Sequence, residues 1–489
     1  MTAVAGAWSL ARPGLATGTS RPLVGTADGR LTLVRDPLRI VLFVLTIITI
    51  SRVHQHYPLL AKARPAVLLV IASVGYAYLN PCYLTRFNVM RLWPMRLVVA
   101  LGVLACCSTA FGISLGGSAS FILGSYAKTL AYGFLIAVSI RHVRDLFTFV
   151  WAYVVSCGIL AFFSIFVFGT SWQGNLARLD NLYTYDANDL GVVMMVGLPL
   201  TLLLLSVERG TKRLFLLLVV IGISATMARS GSRGGFLGFA AVGTALLIMV
   251  KGVSMARRLF VVATAAIALA VVAPPQYWAQ MRTILNPKED YNYTEIDGRK
   301  AVVERGIAYM RQYPAFGLGI DNFAKAECYI SPKVASRRLN GPLKCSAPHN
   351  SYVEAGAELG FPGFMIFVSL VLGTIITPLR IRGRLPKSWR HGTESERFLY
   401  GATSFFAVAM VGFAVTSSFV SFAWMDPVYF MAALLTGLYV ALHVELEEAL
   451  RRGNGSAFQS TSPNRAPGWR VNQSTWRVHM LGQSFQRTE

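Results

Sequence analysis

Three groups of residues in this 489-residue chain combine types and spacings that could do chemistry. Pro348-His349-Asn350-Ser351-Tyr352-Val353-Glu354 sets one imidazole, a group that titrates near neutral pH, just before a segment that reads as a helix. An imidazole in that position can take a proton from a hydroxyl. Ala228-Arg229-Ser230-Gly231-Ser232-Arg233-Gly234-Gly235 places two guanidinium groups in a sharp turn, and Asp297-Gly298-Arg299 places another in the first turn of a helix predicted over Gly298 to Tyr313. Guanidinium forks and helix N-termini both favour phosphate oxygens. A base and a set of cations together describe a centre that makes an alcohol nucleophilic while stabilising charge on a departing phosphate.

Each group also has a plainer reading. His349 could bond a loop carbonyl or a lipid headgroup, Arg229 could snorkel to lipid phosphate, and the predicted helix could be a basic amphipathic one lying at the membrane surface. That helix has Asp297 as N-cap, apolar positions at Val302, Val303, Ile307 and Met310, and Pro314 as its stop. Arg305 and Arg311 follow Arg299 at intervals of six, which turns each to another face, so Arg299 alone is the candidate. Arg233 is preferred over Arg229 because glycines leave room around it. Ser351 and Glu354 have capping-box spacing, and Glu354 or Glu358, on adjacent turns, could orient His349.

The elements that carry these residues are membrane spans. The chain is 54% apolar and 14% charged, too greasy to keep a wet surface as a soluble globule. Apolar windows of roughly 17 to 25 residues predict twelve spans, near 38–50, 66–78, 96–115, 119–140, 146–168, 189–207, 214–228, 235–250, 259–274, 352–379, 398–417 and 427–444. With the N-terminus inside, the short inner loops hold seventeen lysines and arginines, from Arg86 to Arg397, against six in the short outer loops. This asymmetry sets both termini inside and the long loop outside. The expected organisation is a cytoplasmic N-terminal segment (1–36), nine membrane helices (37–274), a large outer loop with short helices (275–350), three more membrane helices (351–445) and a basic disordered cytoplasmic tail (446–489). The N-terminal segment lacks the pattern of a cleavable signal peptide.

A net charge of +23 would suit nucleic acid, but the charges sit in juxtamembrane turns and answer to anionic lipid instead. Of the six cysteines, Cys328 and Cys345 alone fall in the outer loop, where an oxidising compartment permits a disulfide. No Cys-x-x-Cys or His-x-x-x-His pattern appears, so no metal site is expected. Pro314 to Phe323 contains Gly317 and Gly319 with no preceding strand, which supports a ligand-facing turn or a hinge rather than a nucleotide loop. Lys128 interrupts a span conspicuously and could be a pathway residue of a secondary transporter, a fold that twelve spans would also suit.

Taken in order, four motifs resemble the O-antigen ligase and O-antigen polymerase superfamily of bacterial inner membranes. They are Asn188-Asp189-Leu190-Gly191, Ser232-Arg233-Gly234, Gly298-Arg299 followed by Tyr313-Pro314-Ala315-Phe316-Gly317-Leu318-Gly319, and Pro348-His349-Asn350-Ser351-Tyr352 with Glu358-Leu359-Gly360-Phe361-Pro362-Gly363. The resemblance covers about Tyr185 to Leu370. It implies an all-α, GT-C-like integral membrane glycosyltransferase without cofactor or metal, which takes a glycan from undecaprenyl diphosphate. By that resemblance Arg233 and Arg299 would hold the diphosphate and His349 would act on the acceptor hydroxyl; Arg229, Asn188, Glu354, Glu358 and Lys128 are candidate supporting residues read from the sequence itself. The acceptor would be lipid A–core for a ligase or another lipid-linked glycan for a polymerase. Lys325, Lys333, Arg337, Arg338 and Lys344 in the outer loop would suit a phosphorylated lipopolysaccharide core, which leans the expectation to a ligase. The first outer loop, Ser51 to Pro65, holds His54 and His56 but no carboxylate, unlike the many GT-C enzymes with a catalytic aspartate there.

Overall fold

A computed structural model describes residues 31–173, 176–180, 182, 184–251, 253–286, 298–334 and 345–457. Asp297, Arg337, Arg338 and Lys344 lie outside the described residues.

Each predicted apolar window forms a helix, because in a medium without water the backbone can satisfy its polar groups only within the segment. Among the described residues, eight of these helices are long and apolar enough to cross a membrane: Trp93–Phe111, Leu115–Ser139, Val143–Phe166, Thr211–Ser230, Met255–Val272, Ser351–Arg384, Glu394–Phe419 and Asp426–Glu448. The protein is therefore a largely α-helical, multi-pass membrane protein. The expected count of twelve is not reached on these criteria. Pro37–Ser51, Pro65–Leu79, Asp189–Leu205 and Arg233–Met249 are apolar helices of 15 to 17 residues. At 1.5 Å per residue they are about 23 to 26 Å long, short of a hydrocarbon core of about 30 Å.

Three further expectations are corrected. The fold is not purely helical, since Thr170–Gln173 pairs antiparallel with Leu176–Leu179 in a small hairpin between two helices. The helix that begins at Asp426 continues to Ala457, past the predicted start of a disordered tail at 446. Its extension runs Glu445-Leu446-Glu447-Glu448-Ala449-Leu450, all good helix formers.

The window read as one span near 352–379 is two helices meeting at Gly360, where φ is +72° and ψ −172°. That backbone conformation is open to glycine alone. The chain from Pro314 to Gly319 lies across the kink: Phe361 N–H donates to the Pro314 carbonyl, Leu318 N–H to Ala357 and Gly319 N–H to Glu358. A Cβ at Gly360 would come within 2.5 Å of the Pro314 carbonyl oxygen. At Gly317, where φ is +67°, a Cβ would come equally close to the Glu358 carbonyl oxygen. The two glycine-bearing motifs are thus the two sides of one contact. Gly360→Ala is expected to destabilise the protein by about 3 kcal/mol, read as a lower melting temperature in detergent; Gly383→Ala, on an open helix face, should leave it unchanged.

Candidate active site

His349 stands in the turn before the Ser351–Arg384 helix, half-buried, in the left-handed conformation at φ +46°. Non-glycine residues rarely adopt it, and histidine is among those that do so more often. The turn is fixed from both sides, since His349 N–H donates to Ser421 Oγ at 3.0 Å and Asn350 caps the helix by accepting from Tyr352 and Val353 N–H. This corrects the capping box expected from Ser351 and Glu354. Ser351 Oγ instead donates to the Val420 carbonyl and accepts from Phe422 N–H. Glu354 accepts from Ala423 N–H at 2.9 Å.

Glu358, also buried, accepts three hydrogen bonds: from Asp321 N–H (2.8 Å), Phe323 N–H (3.1 Å) and Trp424 Nε1–H (2.7 Å). It ties the outer loop to the segment before the final helix. Burial of Asp321, opposed by Lys325, raises its carboxyl above the ordinary range.

Arg299 opens the Arg299–Gln312 helix, with Gly298 at the N-cap position, and is half-buried. The helix does not simply lie on a surface. Its buried face is Val302, Gly306, Tyr309 and Met310, while Ile307 is exposed. Gly306 meets Val353 and Met310 meets Gly356, so this helix and the start of the Ser351–Arg384 helix run parallel. Both N-termini therefore face the same end, Arg299 from one helix and His349 from the other. Arg305 is accounted for otherwise: it binds Glu327 at 2.7 Å, in a buried group completed by Lys333 at 2.9 Å and Tyr309. Burial together with Glu327 pushes the Tyr309 phenol up to about 12. Lys333 is thus a core residue rather than part of a solvated face, and Lys325 donates to Asn322 Oδ1. A disulfide joins Cys328 and Cys345, with Cα atoms 5.0 Å apart, and fastens the Phe323–Tyr329 helix to the segment that leads to His349. Its removal by Cys328→Ser with Cys345→Ser is expected to cost about 3 kcal/mol, measured by thermal melting with and without reductant.

Arg233 is the first residue of the Arg233–Met249 helix, whose Ser232 N-cap accepts from Gly235 N–H. Its Nη1 donates to Thr283 Oγ1 at 2.9 Å, at the base of the outer loop. The neighbouring glycines do not leave the room around Arg233 that the sequence suggested; they permit close packing, Gly234 against Phe419 and Gly235 against Met227. Arg229 donates to the Ile165 carbonyl. Asn188 accepts from Arg178, whose Nε also reaches the Ser230 carbonyl at 2.9 Å. Arg178, one of the six basic residues of the short outer loops, thus braces from the hairpin the turn that carries Arg233.

One segment that sequence reasoning missed connects these parts. Phe419 packs on Gly234, Ser421 receives His349, Phe422 and Ala423 donate to Ser351 and Glu354, and Trp424 donates to Glu358. The segment thus joins the helix N-termini that bear Arg233 and His349, and the Arg299 helix packs in parallel beside the second of them. Lys128 is not among these contacts and lies within electrostatic range of Arg52, Asp426 and Arg64.

Comparison with known proteins gives two findings. Residues 217–368 match the family described as O-antigen ligase. An uncharacterized protein of Haemophilus influenzae is 24% identical over 173 residues, 33% of this chain and 42% of the relative, so the match spans less than half of that relative's length. The stretch that carries Arg233, Arg299 and His349 thus matches the O-antigen ligase family, which supports the superfamily that the motifs resemble.

Proposed function

We propose that this protein is a metal-independent glycosyltransferase that moves a glycan from undecaprenyl diphosphate to an acceptor hydroxyl at the periplasmic side of a bacterial inner membrane. What supports the reading is that Arg233, Arg299 and His349 each stand at or just before a helix N-terminus, with Phe419 packed on Gly234, Ser421 holding His349 N–H, and the Arg299 helix packed in parallel beside the helix after His349. The acceptor hydroxyl gives its proton to His349 as its oxygen bonds to the anomeric carbon. The bond from that carbon to the diphosphate oxygen breaks, and the diphosphate leaves with the electron pair, stabilised by Arg233 and Arg299. Attack from the face opposite the leaving group inverts the anomeric centre; product-linkage analysis showing retention would rule this out.

Twelve crossings are part of the proposal, with the four shorter apolar helices spanning in tilted or locally thinned surroundings. Their support is that connections meet others of their own predicted side. Gln55 bonds Thr184, Ile113 bonds Leu318, Arg178 bonds Ser230 and Arg52 bonds Asp426 among the outer set; Thr85 bonds Val138 and Arg141 bonds Cys82 among the inner. A GT-C-like fold and the lean to a ligase over a polymerase belong to the same reading. The transporter reading is weaker, because a transporter gathers its polar groups near mid-membrane and these stand at helix ends.

The test is the donor. Arg299→Ala is expected to reduce transfer about 100-fold or more. Arg299→Lys should regain only part of the loss, because a point charge cannot replace a bidentate fork. Wild-type rates in Arg299→Ala would remove Arg299 from the site.

A further inference from the structure

A second group of cations stands at the predicted outer end of the bundle, apart from Arg233 and Arg299. Arg52 follows the Pro37–Ser51 helix in the left-handed conformation, φ +54°, and its Nη2 donates to Asp426 Oδ2 at 2.9 Å. Thr129 takes the other oxygen of Asp426 at 2.8 Å. Lys128, half-buried, lies within electrostatic range of Arg52, Arg64 and Asp426, and among the described residues none accepts a hydrogen bond from its ammonium. Burial, with Arg52 and Lys128 within electrostatic range, pushes the His54 imidazole below the ordinary range. Asp189 is also within electrostatic range of Arg52.

Two polar atoms here are buried without a partner, Arg52 Nε and His54 Nδ1. Buried polar groups are rarely left so, and each one asks for an explanation. A bound anion that brings its own oxygens and hydroxyls would satisfy both, and would pair Lys128.

The place of the group relative to His349 says which anion. Arg52 packs over the Tyr185 ring at 5.5 Å, and Tyr185 stacks on Phe422 at 6.1 Å. Phe422 follows Ser421, which holds His349. Along the chain from 419 to 426, Arg233 flanks one end, Arg52 and Asp426 the other, and the His349 contact lies between. A reaction between two lipid-borne glycans brings two phosphate-bearing headgroups into one membrane face, where they repel unless each has its own cations.

We propose that Arg52, His54 and Lys128 form the subsite for the phosphate of the acceptor, separate from the donor diphosphate at Arg233 and Arg299. The acceptor is thus a phosphorylated, lipid-anchored saccharide, either a second lipid-diphosphate glycan or a phosphorylated lipid A–core. The role of the subsite rests on the transferase reading; its affinity does not.

The experiment is equilibrium binding to the full-length protein in nanodiscs, with undecaprenyl-diphosphate glycan, phosphorylated lipid A–core and the dephosphorylated core as probes. Lys128→Gln and His54→Ala, which leave the Arg52–Asp426 pair intact, are compared with wild type, Arg299→Ala and Lys128→Arg. Lys128→Gln is expected to weaken one phosphorylated acceptor about 10-fold, with Lys128→Arg near wild type and the dephosphorylated core indifferent to the change. Weakened binding of phosphorylated core identifies a lipopolysaccharide acceptor; loss of a second equivalent of the diphosphate lipid identifies a lipid-linked glycan. The proposal is overturned if Lys128→Gln and His54→Ala bind every probe as wild type does, or weaken only the equivalent that Arg299→Ala weakens. A protein that binds both lipids and transfers nothing would overturn the transferase reading and leave the subsite standing.

Discussion

His349→Ala is expected to lower glycan transfer by about 10² to 10⁴-fold, the usual contribution of a general base. Donor binding should change little, because Arg233 and Arg299 approach from other helices. Alanine also loses some ease in the left-handed conformation that His349 occupies. His349→Asn separates the two effects, since asparagine tolerates that conformation and cannot accept the proton at neutral pH. Steady-state transfer rates with the melting temperature of each variant make the comparison. An active, well-folded His349→Asn would mean that position 349 orients the acceptor without taking its proton.

The second large effect is expected from a residue that does not touch the reacting atoms. Glu358→Ala removes the acceptor shared by Asp321 N–H, Phe323 N–H and Trp424 Nε1–H. Leaving such donors in a buried place costs about 1 to 3 kcal/mol each, so a loss of about 3 to 5 kcal/mol is expected, at the high end for single substitutions. Glu358→Gln keeps one carbonyl oxygen and should recover part of it. Because Glu358 ties the outer loop to the 419–424 segment, transfer should fall with stability, and melting curves beside transfer rates will show it. A variant that melts like wild type would mean that the hydrogen bonds around Glu358 are not what holds this loop.

How much could be read in advance follows from how each feature is encoded. Apolar windows announced the helices, since burial in lipid demands a run of apolar side chains. The residues with reactive side chains, His349, Arg233 and Arg299, were visible by type. The segment that joins them was not, because Ser421, Phe422 and Ala423 act through backbone N–H groups and a hydroxyl that any turn could contain. The cap moved by one residue because Asn350 and Ser351 are equally good cap types, and only the fold decides that Ser351 faces Val420. Gly360-Phe361-Pro362 did contain a helix-breaking signal, but its partner, Pro314, lies 46 positions earlier, and no local pattern records that pairing. Lys333 read as surface because lysine usually is; Glu327, which takes it inside, is six residues away and without helical register to it.

The central claim is most directly tested by glycan transfer from undecaprenyl diphosphate by the purified protein in lipid, with EDTA present, comparing wild type with His349→Ala and Arg299→Ala. The account predicts that transfer survives EDTA in the wild type and collapses in both variants. No transfer by a folded wild-type protein to lipid A–core or to a lipid-linked glycan would contradict it.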